Sequence, residues 1–355
     1  MKKALFVLSF LSLCSLGANP KNAMGPTAWE EARGIQQNQR LTLRPLTWRS
    51  NLQLPVERPF SEIENTGYLL FHSDTYYHTN IIKDALASNL PAGVRLIVYT
   101  DQPSLVSNLK SHYEPLAGKN NVEVLGLTYR ATDRAIWARD NTPIPVLLRG
   151  STGQTPTWGA IDAVYYGGDE PDSALANFFH IGLGKNPYQF EGGNFVADPK
   201  GNCVIVNKRP TAEIPDSVFT DLYGCKKVVR LKYVSGIGHA DERVKFINSS
   251  TVLTDTQSYV PQLSALGYEV RVLPTPQGGR FRTYVNSLSI ENKIFVPIFN
   301  EENDDEALAV YRSFGLDVIP LDTEEISDNG NGSIHCITMT YPKMELSELK
   351  NLLFR

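Results

Sequence analysis

Four short clusters carry the reactive side chains of this sequence, and each lies at a loop or strand end. Trp137-Ala138-Arg139-Asp140 precedes an apolar run at 143–148, and Glu191-Gly192-Gly193-Asn194 reads as a tight double-glycine turn. Gly238-His239-Ala240-Asp241 is the third cluster, and Asn329-Gly330-Asn331-Gly332-Ser333-Ile334-His335-Cys336 is the fourth. Two glycines ahead of a cysteine let the backbone approach a ligand closely. A cysteine beyond such a loop, with a histidine elsewhere in the chain, is a candidate nucleophile. Taken singly, each residue has an ordinary explanation. Asp140 is a capping or turn residue, Glu191 a solvated turn acid, His239 a satisfied loop histidine and Cys336 an inert buried cysteine. Together they supply a thiol, an imidazole and three carboxylates, and that set has one coherent use. Carboxylates grip a guanidinium through bidentate, charge-assisted hydrogen bonds. A thiolate attacks its central carbon, and an imidazole moves the protons.

Such a set works only if remote loops are brought together, so the elements between them matter. Runs at 67–71, 94–99, 122–127, 143–148, 203–206 and 294–298 read as strands, and 80–87 and 105–113 as helices. Strands alternating with helices imply an α/β fold. Residues 19–65, with Pro20, Pro26, Pro45, Pro55 and Pro59, read as a polar, irregular arm wrapping a core. In the second half, 222–231, 265–274 and 313–321 share one grammar: a helical end, a glycine turn, then a β-branched strand. Gly224, Gly267 and Gly315 are spaced 43 and 48 residues apart, which fits an array of similar supersecondary units such as a propeller. No low-complexity linker interrupts 66–355, which reads as a single catalytic domain.

Composition narrows the function classes. Hydrophobic residues at 42% and charged residues at 20% exclude a disordered, collagen-like or disulfide-dense scaffold. With 34 Lys+Arg against 38 Asp+Glu there is no basic surplus for binding a phosphate backbone, so no nucleic-acid partner is expected. Four Cys and six His are too few and too scattered for a structural zinc framework. Lys2 and Lys3, an apolar run over 4–16, and then Gly17 and Ala18 have the order of a secretory signal peptide spanning 1–18. The run is short for a membrane anchor, which needs about 20 apolar residues. Cys14 raises a lipoprotein alternative, but Leu13 stands where a small residue belongs. A mature exported chain, free of the membrane, keeps Cys203, Cys225 and Cys336, an odd number. Cys203 and Cys225 lie in successive apolar segments and are the expected disulfide pair, which leaves Cys336 as the free thiol.

The order W-x-R-D (137–140), E-G-G-N (191–194), G-H-x-D (238–241), T-Y-x-N (283–286) and G-N-G-S-I-H-C-I-T (330–338) resembles the agmatine deiminase and bacterial (Porphyromonas-type) peptidylarginine deiminase family. The resemblance covers about residues 65–342. It implies the pentein fold, a five-fold pseudosymmetric α/β propeller of ββαβ units around a central site. It also implies that Cys336 is the nucleophile, His239 the general acid/base, and Asp140 and Asp241 the carboxylates on the guanidinium. Glu191 then orients His239, while Trp137 and Asn286 contact substrate. No cofactor and no metal is expected; zinc is a poor rival, since no close pair has metal-ligand spacing beyond adjacent His335 and Cys336.

A guanidinium is planar, resonance-stabilised and a poor electrophile, so Asp140 and Asp241 must orient its carbon toward Cys336. The three carboxylates disfavour the thiolate and favour the imidazolium. A cationic substrate that binds first and lowers the thiol's pKa is therefore expected, in preference to a preformed thiolate–imidazolium pair. Export favours peptidyl or free arginine as substrate. Agmatine is the alternative, because the acidic and aromatic stretch at 159–168 suits an amine tail and no arginine pair lies between Asp140 and Glu191. An amidinotransferase and a catalytically silent pentein used for binding complete the alternatives. Oligomeric state cannot be read from the sequence.

Overall fold

A computed structural model describes residues 26–43, 52, 55–128, 134–149, 157–166 and 171–343. The segment read as a signal peptide lies outside the described residues. Helix α1 (Ala28–Thr42) and strand β1 (Val56–Pro59) come first. The chain then builds one unit five times. The first is β2 (Thr66–His72), α2 (Thr79–Ser88) and β3 (Arg95–Thr100), extended by α3 (Val106–Ala117) and β4 (Val122–Gly126). After α4 (Ala138–Asn141) the second follows: β5 (Ile144–Leu148), β6 (Thr157–Val164), α5 (Asp172–Phe179) and β7 (Leu183–Gln189). The third is β8 (Val196–Ala197), β9 (Asn202–Asn207), α6 (Asp216–Leu222) and β10 (Lys227–Lys232). The fourth is β11 (Lys245–Phe246), β12 (Thr251–Thr254), α7 (Val260–Ser264) and β13 (Glu269–Val272). The fifth is β14 (Leu288–Ile290), β15 (Lys293–Ile298), α8 (Asp304–Arg312) and β16 (Asp317–Asp322). Strand β17 (Met339–Pro342) ends the described chain.

In every unit the central strand pairs antiparallel with the strand on one side and parallel with the strand reached through the helix. The first unit takes its antiparallel strand from the far end of the chain, where Met339 pairs with Leu70 and Tyr341 with Tyr68. That pairing closes a ring. Side-chain alternation along the central strands seals it, because successive residues point to opposite faces. Leu70 of β2 packs with Trp158 and Phe179 of the second unit, whereas Leu69 and Phe71 pack with Leu288 and Phe295 of the fifth. Cys203 and Ile205 of β9 face the second unit, and Val204 and Val206 face the fourth. Leu253 of β12 and Ile294 of β15 meet in the remaining interface. Each apolar core therefore lies between two neighbouring units, and five such cores make the pseudosymmetric propeller.

The glycine grammar marks one joint of this unit. Gly224, Gly267 and Gly315 adopt φ of +74°, +85° and +73° between the helix and the last strand, a conformation that costs other residues a Cβ clash. The second unit uses His180 there at φ +52°, so no glycine betrays it in the sequence. Strands expected at 67–71, 94–99, 122–127, 143–148, 203–206 and 294–298 all form, as do both helices. The irregular arm does not hold as read: 28–42 is helical. Thr27 and Glu30 form a capping box, which satisfies two of the otherwise orphaned N-terminal donors. The helix is pinned by Asn38, whose Nδ2 donates to the Gln189 and Pro210 carbonyls at 3.0 and 3.1 Å.

Candidate active site

All five motifs occupy one place in the architecture, the segment leading into the antiparallel strand of a unit. Trp137–Asp140 precedes β5, Glu191–Asn194 precedes β8, His239–Asp241 precedes β11, Thr283–Asn286 precedes β14, and Ser333–Cys336 precedes β17. Three of these segments are short helical turns, at 138–141, 192–194 and 240–242, the other two are non-helical turns, and hydrogen bonds cross between them. Gly193 N–H donates to Asp140 Oδ1 at 2.8 Å, and Asn286 Nδ2 to the Asp241 carbonyl at 3.4 Å. The Cys336 thiol lies 3.5 Å from Asn286 Oδ1 and 4.0 Å from Asp241 Oδ2.

The double glycine is needed for this convergence. A Cβ on Gly192 would lie 2.1 Å from the Arg139 carbonyl oxygen. One on Gly193 would lie 2.6 Å from His239 Nδ1, 2.9 Å from Asp140 Oδ1 and 3.2 Å from Asp241 Oδ2. His239 is buried, with Nε2 3.1 Å from Glu191 Oε2 and Nδ1 3.8 Å from Asp140 Oδ1. Burial works against its imidazolium, but Asp140 and then Glu191 outweigh burial and push the ring's pKa up to about 10. Burial also drives Asp140 up to about 7; the imidazolium opposes this, and Glu191 and Asp241 add to it. The two titrate as one coupled system.

Among the described residues Cys336 is the one free cysteine and is buried, while Cys203 and Cys225 form a disulfide with Cα atoms 5.8 Å apart, as expected. Burial first, then the charges of Asp241, Glu242 and Asp140, push the Cys336 thiol well above its usual range. Two residues expected to contact substrate also have protein partners. Asn286, besides the bonds above, accepts through Oδ1 from His335 N–H at 3.1 Å. It braces the nucleophile loop. Trp137, also expected on the substrate, is buried against that loop. A Cβ on Gly332 would lie 2.6 Å from the Trp137 ring, so the glycines ahead of Cys336 let the indole pack closely on the loop.

The sequence reading passed over several groups. Glu242 is buried with neither carboxyl oxygen hydrogen-bonded, and burial chiefly pushes it up to about 8. His335 Nδ1 lies 2.6 Å from Asp241 Oδ2, and its Nε2 lies 3.0 Å from Glu62 Oε2. Glu62 in turn receives Lys245 Nζ at 2.7 Å. His335 and Lys245 flank motifs already noted, whereas Glu62 sits in the arm with no pattern around it. Asp140, Glu191 and His239 also place donor atoms within 4.8 Å of one another, a clustering the spacing argument against metals did not anticipate. Their chemistry suits an organic cation better than zinc, since a metal needs neutral imidazole and these acids favour the imidazolium.

A buried free thiol, an imidazolium between two carboxylates, and a second aspartate beside the sulfur make up a set that could act on a guanidino group. A profile of the family described as Porphyromonas-type peptidyl-arginine deiminase matches residues 79–342. The chain belongs to this family. It is accordingly a hydrolase acting on the carbon–nitrogen bonds of linear amidines. Among solved structures it resembles an agmatine deiminase of Enterococcus faecalis, at 18% identity and TM-score 0.67, over 83% of this chain and 100% of that one. A substrate-bound agmatine deiminase from C. jejuni is similar at 18% identity and TM-score 0.63, over 81% of this chain and 96% of that one. These likenesses carry the fold, the pentein propeller. No curated protein sequence matches the chain.

Proposed function

We propose that this deiminase is exported and converts peptidyl or free arginine to the citrulline form plus ammonia through a covalent thiouronium intermediate on Cys336. The observation that carries the chemistry is the convergence of His239, Asp140 and Asp241 on Gly193 beside the Cys336 loop. Export is supported by the leader-like order of residues 1–18 and by the disulfide, a bond favoured in oxidising compartments.

In the resting site the acids suppress the thiolate and hold His239 as imidazolium. Binding of the guanidinium cancels part of the carboxylate charge, so Cys336 ionises in the complex. The thiolate attacks the guanidinium carbon, and the tetrahedral adduct expels ammonia as His239 delivers its proton to the departing nitrogen. His239, now neutral, takes a proton from water. The hydroxide attacks the thiouronium carbon, the carbon–sulfur bond breaks as the hydroxyl proton passes to the departing sulfur, and the neutral ureido product leaves the restored thiol.

A second reading, agmatine deiminase giving N-carbamoylputrescine, is favoured by the segment near Glu191. Asp162, Tyr165 and Tyr166 line it, and Arg134 nearby is already held by Glu30 at 2.8 and 2.9 Å. Asp162 is paired with Lys185 at 3.2 Å, and Arg33 lines the same cavity, so the features left for an amine tail are Glu191 and the rings of Tyr165 and Tyr166. The test is ammonia and ureido-product formation from agmatine, free arginine, and internal and C-terminal peptidyl arginine. Faster turnover of an arginine substrate supports the first reading, and faster turnover of agmatine the second. No ammonia from any of them would leave a binding protein.

A further inference from the structure

The steps above use Asp241 but not the buried groups behind it. His335 lies wholly between acceptors. Its Nδ1 faces Asp241 Oδ2 at 2.6 Å and its Nε2 faces Glu62 Oε2 at 3.0 Å. Ionised carboxylates only accept, and a neutral imidazole donates from one nitrogen alone. A ring bonded to both therefore carries both protons. Glu62 can sustain that cation because its other demands are met: Lys245 Nζ donates to Oε2 at 2.7 Å, and Ser289 N–H donates to Oε1 at 2.7 Å. Lys245 is anchored as well, donating to the Ser287 carbonyl at 2.7 Å. Burial works to raise Glu62, yet Lys245 and His335 hold its carboxyl well below the usual carboxylate range. The acids Asp241 and Glu62 on either side of the ring are faced by Lys245 and by the buried Arg139, so the buried charges compensate one another. Asp241 Oδ1 is buried and has no hydrogen-bond partner, whereas Oδ2, 4.0 Å from the Cys336 sulfur, is taken by His335.

We infer that His335, Glu62 and Lys245 form a positioning row that fixes Asp241 by Oδ2 and thereby presents Oδ1 to the guanidinium. This rests on the reading of Asp241 as a guanidinium carboxylate. Glu62 comes from the segment ahead of the family match at 79–342, so the chain's own N-terminal region completes a row that begins in the catalytic loops. None of the three residues touches the reacting carbon; they act through Asp241.

The experiment has two arms. In the first, nuclear magnetic resonance of the full chain labelled with ¹⁵N-histidine, without substrate, is expected to show two imidazole N–H signals that vanish in His335→Gln. Glu62→Gln is expected to remove one of the two, because the amide can donate to a neutral Nε2. In the second, kcat and KM are measured with whichever of the four guanidino substrates is turned over. Folded Glu62→Gln is expected to lose about 10- to 100-fold in kcat/KM with KM raised, the scale of a misplaced binding group. A single His335 N–H signal in the unmodified chain at neutral pH would overturn the inference. So would folded Glu62→Gln with unchanged kcat/KM. Should Glu62→Gln fail to fold, Glu62→Asp serves for the kinetics, and the signals of the unmodified chain still decide. Absence of turnover with any substrate would sink the deiminase reading while leaving the ring signals to be read independently.

Discussion

Two histidines of this molecule each sit between two carboxylates, and they are held for opposite ends. His239 meets Glu191 at 3.1 Å and Asp140 at only 3.8 Å, and its Nδ1 makes no hydrogen bond. His335 meets Asp241 at 2.6 Å and Glu62 at 3.0 Å, with Lys245 balancing the outer acid. Both rings are buried, so burial does not separate them. What differs is the number of protons already committed. A ring that must pass a proton keeps a nitrogen loosely engaged, whereas a ring that must hold a neighbour still has both nitrogens bonded. The comparison teaches that acids around an imidazole set its charge, while hydrogen-bond closure sets whether that charge can move.

Substitution at each histidine breaks the comparison most directly. His239→Gln, like Cys336→Ser, is expected to lower kcat by about three orders of magnitude or more with the fold intact, the scale for losing a catalytic base or nucleophile. His335→Gln keeps one donor toward Asp241 and should lose far less. Steady-state kinetics alongside circular dichroism decides this; equal losses would erase the distinction. Asp140→Asn comes next, with about 100-fold lower kcat/KM, KM raised and kcat lowered together, because orientation and binding depend on the same carboxylate.

The glycines offer a finer contrast. Gly193→Ala would put its Cβ 2.6 Å from His239 Nδ1, whereas Gly332→Ala would put one 2.6 Å from the Trp137 ring. The first is expected to cost activity with little change in Tm. The second should cost about 1–3 kcal/mol of stability by overpacking. Thermal melts and kinetics on the two variants read this directly.

The pH profile is gentler still. Asp140 must be ionised to grip a guanidinium, so kcat/KM should rise as pH passes about 7 and continue to rise as the Cys336 thiol becomes easier to ionise; His239 must be protonated, so it should fall as pH passes about 10. In Asp140→Asn the alkaline limb should move to lower pH, because the imidazolium loses a stabilising charge. In His335→Gln it should stay. The high thiol pKa of Cys336 also makes iodoacetamide labelling of free enzyme slow, and a bound, unreactive guanidinium that leaves the sulfur accessible should speed it. Fast labelling that such a ligand leaves unchanged would point to a preformed ion pair. Last, replacing Cys203 and Cys225 by Ser should lower stability by about 2–4 kcal/mol and leave kcat/KM unchanged below the melting range, since both lie in the core between the second and third units.

Much of this site was legible because the ring places each motif in the same segment of its unit, so five local patterns report one place. Gly224, Gly267 and Gly315 disclosed three units; His180 hid another by taking the left-handed turn without glycine. Ring closure itself could not be read, since β17 pairs with β2 across almost the whole described chain. Helix α1 carried a readable capping box at Thr27 and Glu30, and the surrounding prolines masked it. Glu62 was silent for a different reason. An isolated acid in a polar segment looks solvated, and only its tertiary contacts with His335 and Lys245 give it a role.

The nucleophile stands immediately before the strand that closes the ring. Cys336 is followed by β17 at Met339–Pro342, and β17 pairs with β2 at Thr66–His72. As the chain is synthesised from its N-terminus, the five central strands, Asp140 and Asp241 precede the thiol that must join them. The long sequence separation makes this pairing entropically late. Catalytic competence and topological completion therefore arrive in a single event. A partly built propeller lacks the thiol that the proposed attack on a guanidinium requires.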